Sequence, residues 1–541
     1  MSNHYTMKSW LNLNNIIMKK IALLMFVGWM LYSQTYAAQT FEKGILKFTV
    51  LEQSREESQA DSVVKVSSID RLTALSASLF GKVLTIPGYV EHNGCKYQVR
   101  KVDDEAFSHC DYIEDIIIDE GVEEIGQSAF ANCYGIKSLR LPSTVKYIDV
   151  SSFHKCTNLK EITVAKENRF LDSRDNSNAL IETAENELIL GCQTTVIPNS
   201  VTSIGELAFS GCVYLKEMKI PEGVNEIEVC AFFDCVCLHK IELPSTLTYL
   251  GTGTFSGCSA LKSIDIPENV NKIEGHLFNG CLSLTTINVD KKNKVYDSRQ
   301  GCNAIIETTN NRLISACSTT RVPKGVVEIG ELAFRGVVLT QIEIPESVRR
   351  IHERAFNGSE IFCAQIDQDN PVYYMPEGSN TLIEKATKQL VAAFHNPIIT
   401  TDVKIIGKYA FSHCRLPRIM VIPEGVKEIE ENAFSYTTGI ANVFFPKSME
   451  QIGRSAFAYS TIYTLDFKSP LKEVESYTFK RCDNLQVVNM PEGTEAIRSG
   501  AFAGCQRLCS VTLPNSLKDV DKHAFIGTPC NDAVRRYLES R

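Results

Sequence analysis

The stretch Ile220-Pro221-Glu222-Gly223-Val224-Asn225-Glu226-Ile227, followed by Ala231-Phe232, Cys235 and Leu238-His239-Lys240-Ile241-Glu242-Leu243-Pro244, decides the fold. Ile241 and Leu243 alternate with polar neighbours and run into Pro244, as in a short strand ended where proline removes a backbone donor. The order recurs along the chain. Phe107, Phe130 and Phe153 are 23 residues apart, as are Phe209, Phe232, Phe255 and Phe278. The series continues through Phe334, Phe356, Phe411, Phe434, Phe457, Phe479, Phe502 and Phe525. A unit of about 23 residues cannot bury its own apolar side, so it must stack on its neighbours. The expected fold is a mainly β repeat solenoid with about 23 residues per coil and short parallel strands, one per coil. The Val-x-x-Ile and Ala-Phe segments then carry the chain around the other side, with Gly or Asn beside Cys at the turn.

Three intervals break the rhythm: 56 residues from Phe153 to Phe209, 56 from Phe278 to Phe334, and 55 from Phe356 to Phe411. The added segments, near 165–196, 290–321 and 367–399, resemble one another. Asp172-Ser173-Arg174 matches Asp297-Ser298-Arg299, and Asn178-Ala179-Leu180-Ile181-Glu182 matches Asn303-Ala304-Ile305-Ile306-Glu307, with Asn380-Thr381-Leu382-Ile383-Glu384 a weaker third copy. A polar turn and a second apolar run follow, predicting three longer coils that each carry a β-hairpin. Asp and Ser of the Asp-Ser-Arg segments are read as caps of backbone donors in a turn. Residues 38–100 lack the Phe anchor but contain strand-like runs at 45–50, 83–87 and 97–99, with Asn93-Gly94 as a hairpin signal. An N-terminal β cap is expected there, repeats over 101–530, and a C-terminal cap over 531–541, where Asn531, Val534, Tyr537 and Leu538 suit a short helix.

The repeated Ile-Pro-x-x-Val-x-x-Ile-Gly-x-x-Ala-Phe-x-x-Cys, as in Ile197-Pro198 through Ile204-Gly205, Ala208-Phe209 and Cys212, resembles the BspA-like leucine-rich repeats of bacterial surface antigens. The resemblance covers about residues 80–530. It implies a leucine-rich repeat solenoid and, for function, surface adhesion toward host or matrix proteins and other cells. Repeat scaffolds host many activities, so the fold alone does not fix the role.

The 541 residues include 44% hydrophobic and 22% charged residues, which excludes disorder and a multi-span membrane protein. The net charge of -8, without a basic run, argues against a nucleic-acid partner. Met18-Lys19-Lys20 runs into the apolar Ile21–Tyr32 and then the small residues up to Ala37 and Ala38, the plan of a cleaved secretory signal within residues 1–37. Translation is expected to start at Met18. Twelve apolar residues are too few for a stable span, which needs about 20. The expected destination is the cell surface, the periplasm or the medium, with no membrane span after signal removal.

Ten of the 19 cysteines share one register, three residues after the anchor Phe or its equivalent. Stacked at about 4.8 Å with parallel side chains, they fit free thiols better than disulfides, which want Cβ atoms about 3.8 Å apart. Cys95, Cys192, Cys302, Cys317, Cys363 and Cys530 stay open to pairing. No Cys-x-x-Cys or His-Glu-x-x-His spacing points to a metal, no Gly-rich loop to a phosphate cofactor, and no convergent nucleophile and base to catalysis. His109 and His413, each two residues after a Phe, mark turn positions. The chain is therefore read as a non-enzyme without metal or cofactor.

Residues flanking the buried strand pair point outward on one face. They are polar from Ser138/Arg140 to Gln341/Glu343, change to Ile419/Val421 and Asn442/Phe444, and return to polar at Thr464/Asp466, with isolated apolar members at Ile117 and Val487. Val421 and Phe444 should lie side by side on neighbouring strands. Either Ile419, Val421, Asn442 and Phe444 form a partner-binding patch, or the insert 367–399 folds over and covers it. The expected function is adhesin-like binding of a protein or glycan, such as extracellular matrix or another cell. The alternative is a scaffold that organises envelope components without a host ligand.

Overall fold

A regular coil contributes two strands. In the coil of Phe232 the expected strand is Lys240–Glu242, paired in parallel with Glu217–Lys219. The return side is a second parallel sheet of two-residue strands, in which Ile204, Ile227, Leu250 and Ile273 are successive Cα partners. This corrects the expectation of one strand per coil. Two residues are too few to show an alternation, so the Val-x-x-Ile spacing hides the second strand.

The computed structural model describes residues 40–52, 63–69, 82–468 and 471–539. They fall into two units, the described residues up to Phe153 with Ala165–Arg169, and His154–Val164 with the described residues from Phe170 onward. The proposed signal, residues 1–37, lies outside the described residues. Among the described residues no helix is long and apolar enough to cross a membrane.

In the first unit, Leu46–Glu52 pairs antiparallel with Thr40–Lys43 and with Val63–Ile69. Tyr89–His92 turns back on Cys95–Val102 through Asn93 and Gly94, both at positive φ (50° and 78°), as a tight hairpin requires. Cys95–Val102 then pairs in parallel with Glu124–Ile125, so the N-terminal strands continue directly into the second sheet of the coils. Val83–Ile86 already belongs to the first sheet, in parallel with Asp115–Ile118.

Between the sheets run the anchor phenylalanines. Phe209 and Phe232 stack with ring centroids 4.9 Å apart, and Phe434 and Phe457 at 4.8 Å. Such pairs add about 0.5–1.5 kcal/mol beyond burial of the ring. Most of the rings are aimed inward by a turn with a left-handed residue two positions before and two after the Phe, such as Cys230 and Asp234 around Phe232 (φ 54° and 56°). The same geometry accounts for His109 and His413, both at φ 62°.

All three inserts form hairpins. Leu180–Glu182 with Glu187–Leu190, Ala304–Glu307 with Arg312–Ala316, and Thr381–Glu384 with Gln389–Ala393 are antiparallel. The second strand of each then joins the second sheet in parallel, as Leu188 beside Ile204 and Leu390 beside Ile406. The Asp-Ser-Arg segments are turns: Asp172 accepts the Arg174 amide at 3.0 Å and its guanidinium, and Ser298 accepts the Val289 amide at 3.0 Å. All 19 cysteines are free thiols. The last described residues form the helix Asn531–Glu539, whose Val534 is buried and whose Leu538 packs on the core.

Candidate partner-binding face

Ile419–Val421 and Asn442–Phe444 are adjacent parallel strands of the first sheet, with Ile419 opposite Asn442 and Val421 opposite Phe444. The strand period sends Met420 and Val443 inward, where they are 3% and 1% exposed. Their neighbours point outward: Ile419 is 54%, Val421 61% and Phe444 36% exposed. The third insert does not cover them. Its hairpin is drawn into the second sheet because Ile383 and Leu390, both fully buried, pack in the core. Asn442 sits at the polar margin, where its side-chain oxygen accepts the Thr464 hydroxyl at 2.6 Å.

The patch extends to Tyr463, which the strand pattern does not mark, and to Val487, which it marks as an isolated apolar position. Tyr463, one residue before the strand Thr464–Asp466, is 40% exposed, and its amide donates to Ala441 beside Asn442. Val487, the Cα partner of Thr464 on the other side, is also 40% exposed. Tyr463 precedes the alternating pair, and no signal in the repeat marked it as outward.

A second exposed aromatic feature lies at the turn register two residues after the anchors. His413, Tyr436 and Tyr459 form a stack with ring centroids 4.7 and 4.6 Å apart and planes within 2°. The coil spacing imposes this stack, because identical turns place the same register above itself. Partial desolvation holds the His413 imidazole below its usual pKa, and Arg335 and Arg354 add to the effect.

Nothing in this face resembles a reaction centre. Among the described residues, no group of three His, Cys, Asp or Glu side chains is arranged to hold a metal ion. The ladder thiols are engaged in packing, and burial pushes Cys133, Cys414 and Cys482 up to about 12, away from the thiolate a nucleophile needs. What the geometry offers is an extended strand face with many polar outward positions, on which Ile419, Val421 and Phe444 form an apolar patch and Val338 and Phe362 are further exposed apolar residues.

Fold and face together define a leucine-rich repeat solenoid. The family pattern described as "BspA type leucine rich repeat region (6 copies)" matches four stretches, residues 91–185, 189–302, 311–379 and 400–531, well over half of the chain. The chain belongs to this BspA-type leucine-rich repeat family. Solved structures with similarity include a leucine rich cell surface protein from Faecalibacterium prausnitzii A2-165, at 22% identity and TM-score 0.33, covering 91% of this chain and 93% of that one. Another is a leucine-rich repeat protein from Bacteroides ovatus ATCC 8483, at 22% identity and TM-score 0.31, covering 90% and 92%. A third is the pneumococcal vaccine antigen PcpA, at 15% identity and TM-score 0.31, covering 90% and 91%. No curated protein matches the chain. The family assignment rests on the repeat itself.

Proposed function

We propose that the chain is an exported, adhesin-like surface protein that binds a protein or glycan partner through the first-sheet face around Ile419, Val421, Asn442 and Phe444. The observation that carries this reading is the clustered exposure of Ile419, Val421 and Phe444 on neighbouring strands of the first sheet. A solvated face has no need of such a cluster, whereas an aromatic flanked by aliphatics is a common contact anchor. Export follows from the signal-like segment within residues 1–37, and a non-enzymatic role from a family built as a repeat scaffold.

The test is binding of the purified mature chain to arrays of matrix proteins, glycans and envelope fractions, with the double variant Val421→Ser/Phe444→Ser alongside. Loss of more than about 2 kcal/mol of binding with an unchanged melting temperature is expected. Saturable binding to envelope material alone would favour the scaffold role.

A further inference from the structure

Where the first hairpin insert enters, the first sheet has lost a strand. The stretch Cys192–Ile197 occupies this place in the coil, but it is a turn held toward the core. Thr195 accepts the Cys192 amide at 2.8 Å and donates to the Asn178 carbonyl at 2.5 Å, while the Val196 amide donates to Ser177 at 3.0 Å. The next strand, Glu217–Lys219, pairs only with Lys240–Glu242 on its far side. Between the two lies a groove of about 780 Å³, with Val196, Ile197 and Met218 among its lining residues and Glu217 and Lys219 along one rim. The second insert repeats the arrangement. Thr320 accepts Cys317 and donates to Asn303, the Arg321 amide donates to Cys302, and a groove separates this turn from the strand Val338–Ile344.

The Ile220 amide donates to Glu242 at 3.0 Å, and the Lys216 carbonyl accepts from His239 at 2.9 Å. Parallel pairing alternates sides, so the amides and carbonyls of Glu217 and Lys219 face the groove. Among the described residues no backbone hydrogen bond joins this edge to the insert. An open strand edge in a groove suits an extended main chain, which alone presents donors and acceptors at the matching repeat.

We infer that this groove binds an extended polypeptide segment by strand addition, with a basic, an apolar and an acidic residue in succession. The chain's own next coil supplies the charge argument: Lys240 stands opposite Glu217 and Glu242 opposite Lys219, with Ile241 beside Met218 between them. A strand added on the open edge meets the same two charges, and its central apolar side chain lands on Met218, Val196 and Ile197. Val196 is 72% exposed, an apolar floor without a cover. Glu217 also pairs with His239 at 3.2 Å, and that contact leaves its backbone free. This inference does not rest on the Val421–Phe444 face, which lies in other coils.

The probe is a fluorescein-labelled peptide with the sequence of residues 238–246, Leu-His-Lys-Ile-Glu-Leu-Pro-Ser-Thr, titrated with the full chain by anisotropy at low salt. Saturable binding is expected. Methylation of the Ile nitrogen should weaken it about 10-fold and exchange of Lys and Glu about 5-fold. Bound peptide should slow hydrogen exchange at Glu217 and Lys219. Val196→Trp fills the groove and should abolish binding with an unchanged melting temperature, whereas Val421→Ser/Phe444→Ser should leave it intact. Absence of saturable binding, or equal binding of the methylated and unmethylated peptides, overturns the inference.

Discussion

The Cys235 thiol donates a hydrogen bond to the carbonyl oxygen of Phe209, one coil back, at 3.2 Å. Cys133, Cys258, Cys281, Cys482 and Cys505 repeat this bond to Phe107, Phe232, Phe255, Phe457 and Phe479 at 3.0–3.2 Å. Most positions of the register hold a small side chain that fits the core and can donate, with Val337 the exception after Phe334. Where cysteine is absent, Ser359, Thr437 and Thr528 donate to the Phe carbonyl of their own coil at 2.7–2.9 Å. Cys235→Ala removes the donor and leaves a small void, and should cost roughly 1–2 kcal/mol, read as a lower urea midpoint. An unchanged midpoint would show that the bond is incidental.

Thiol reactivity should divide by exposure. Cys237, Cys363 and Cys509 are exposed, whereas the ladder positions Cys133, Cys235, Cys258, Cys482 and Cys505 are fully buried. Iodoacetamide at neutral pH should label the exposed three in the native chain and the ladder only after denaturant, resolved by peptide mass analysis. Extensive disulfides between consecutive ladder positions would contradict the thiol geometry.

Phe232 is fully buried, with Phe209 at 4.9 Å on one side and Phe255 at 5.8 Å on the other. Phe232→Ala should cost on the order of 3–5 kcal/mol. Coils contact mainly their neighbours, so hydrogen exchange should accelerate most in the adjacent coils rather than uniformly.

His276 tests the pH response. Burial lowers its pKa first and Arg335 next, Glu331 opposes them, and Arg354 lowers it further. Its Nδ1 is buried without a partner. The unfolded chain therefore binds this proton more readily, so the contribution to stability is present above the unfolded value near 6.5 and is lost as pH falls through the lowered folded value. Because φ at 276 is 64°, asparagine is the replacement that keeps the turn. The fall in urea midpoint from pH 7.5 to pH 5 should be smaller in His276→Asn than in the wild type. An equal fall would place the sensitivity in other groups.

The repeat by itself determined the solenoid, the Phe column, the hairpins and the adjacency of Val421 and Phe444, because each follows from residue order and one period. A 23-residue spacing puts Phe232 beside Phe255, and Val421 beside Phe444, whatever else the chain does. Three things were decided only by tertiary structure. The second sheet depends on pairing two residues at a time across coils, as Ile227 with Leu250, and such strands leave no alternation to read. The exposure of Val421 depends on where the third hairpin packs, and core burial of Ile383 and Leu390 fixed that placement. The groove beside Glu217 exists because the first insert completes the second sheet through Leu188 while its return, Thr195–Ile197, is tied inward by Asn178. A sequence period specifies which residues meet along the stack, but an insertion that serves one sheet and leaves a gap in the other is a choice between competing burials, made only when the coils pack.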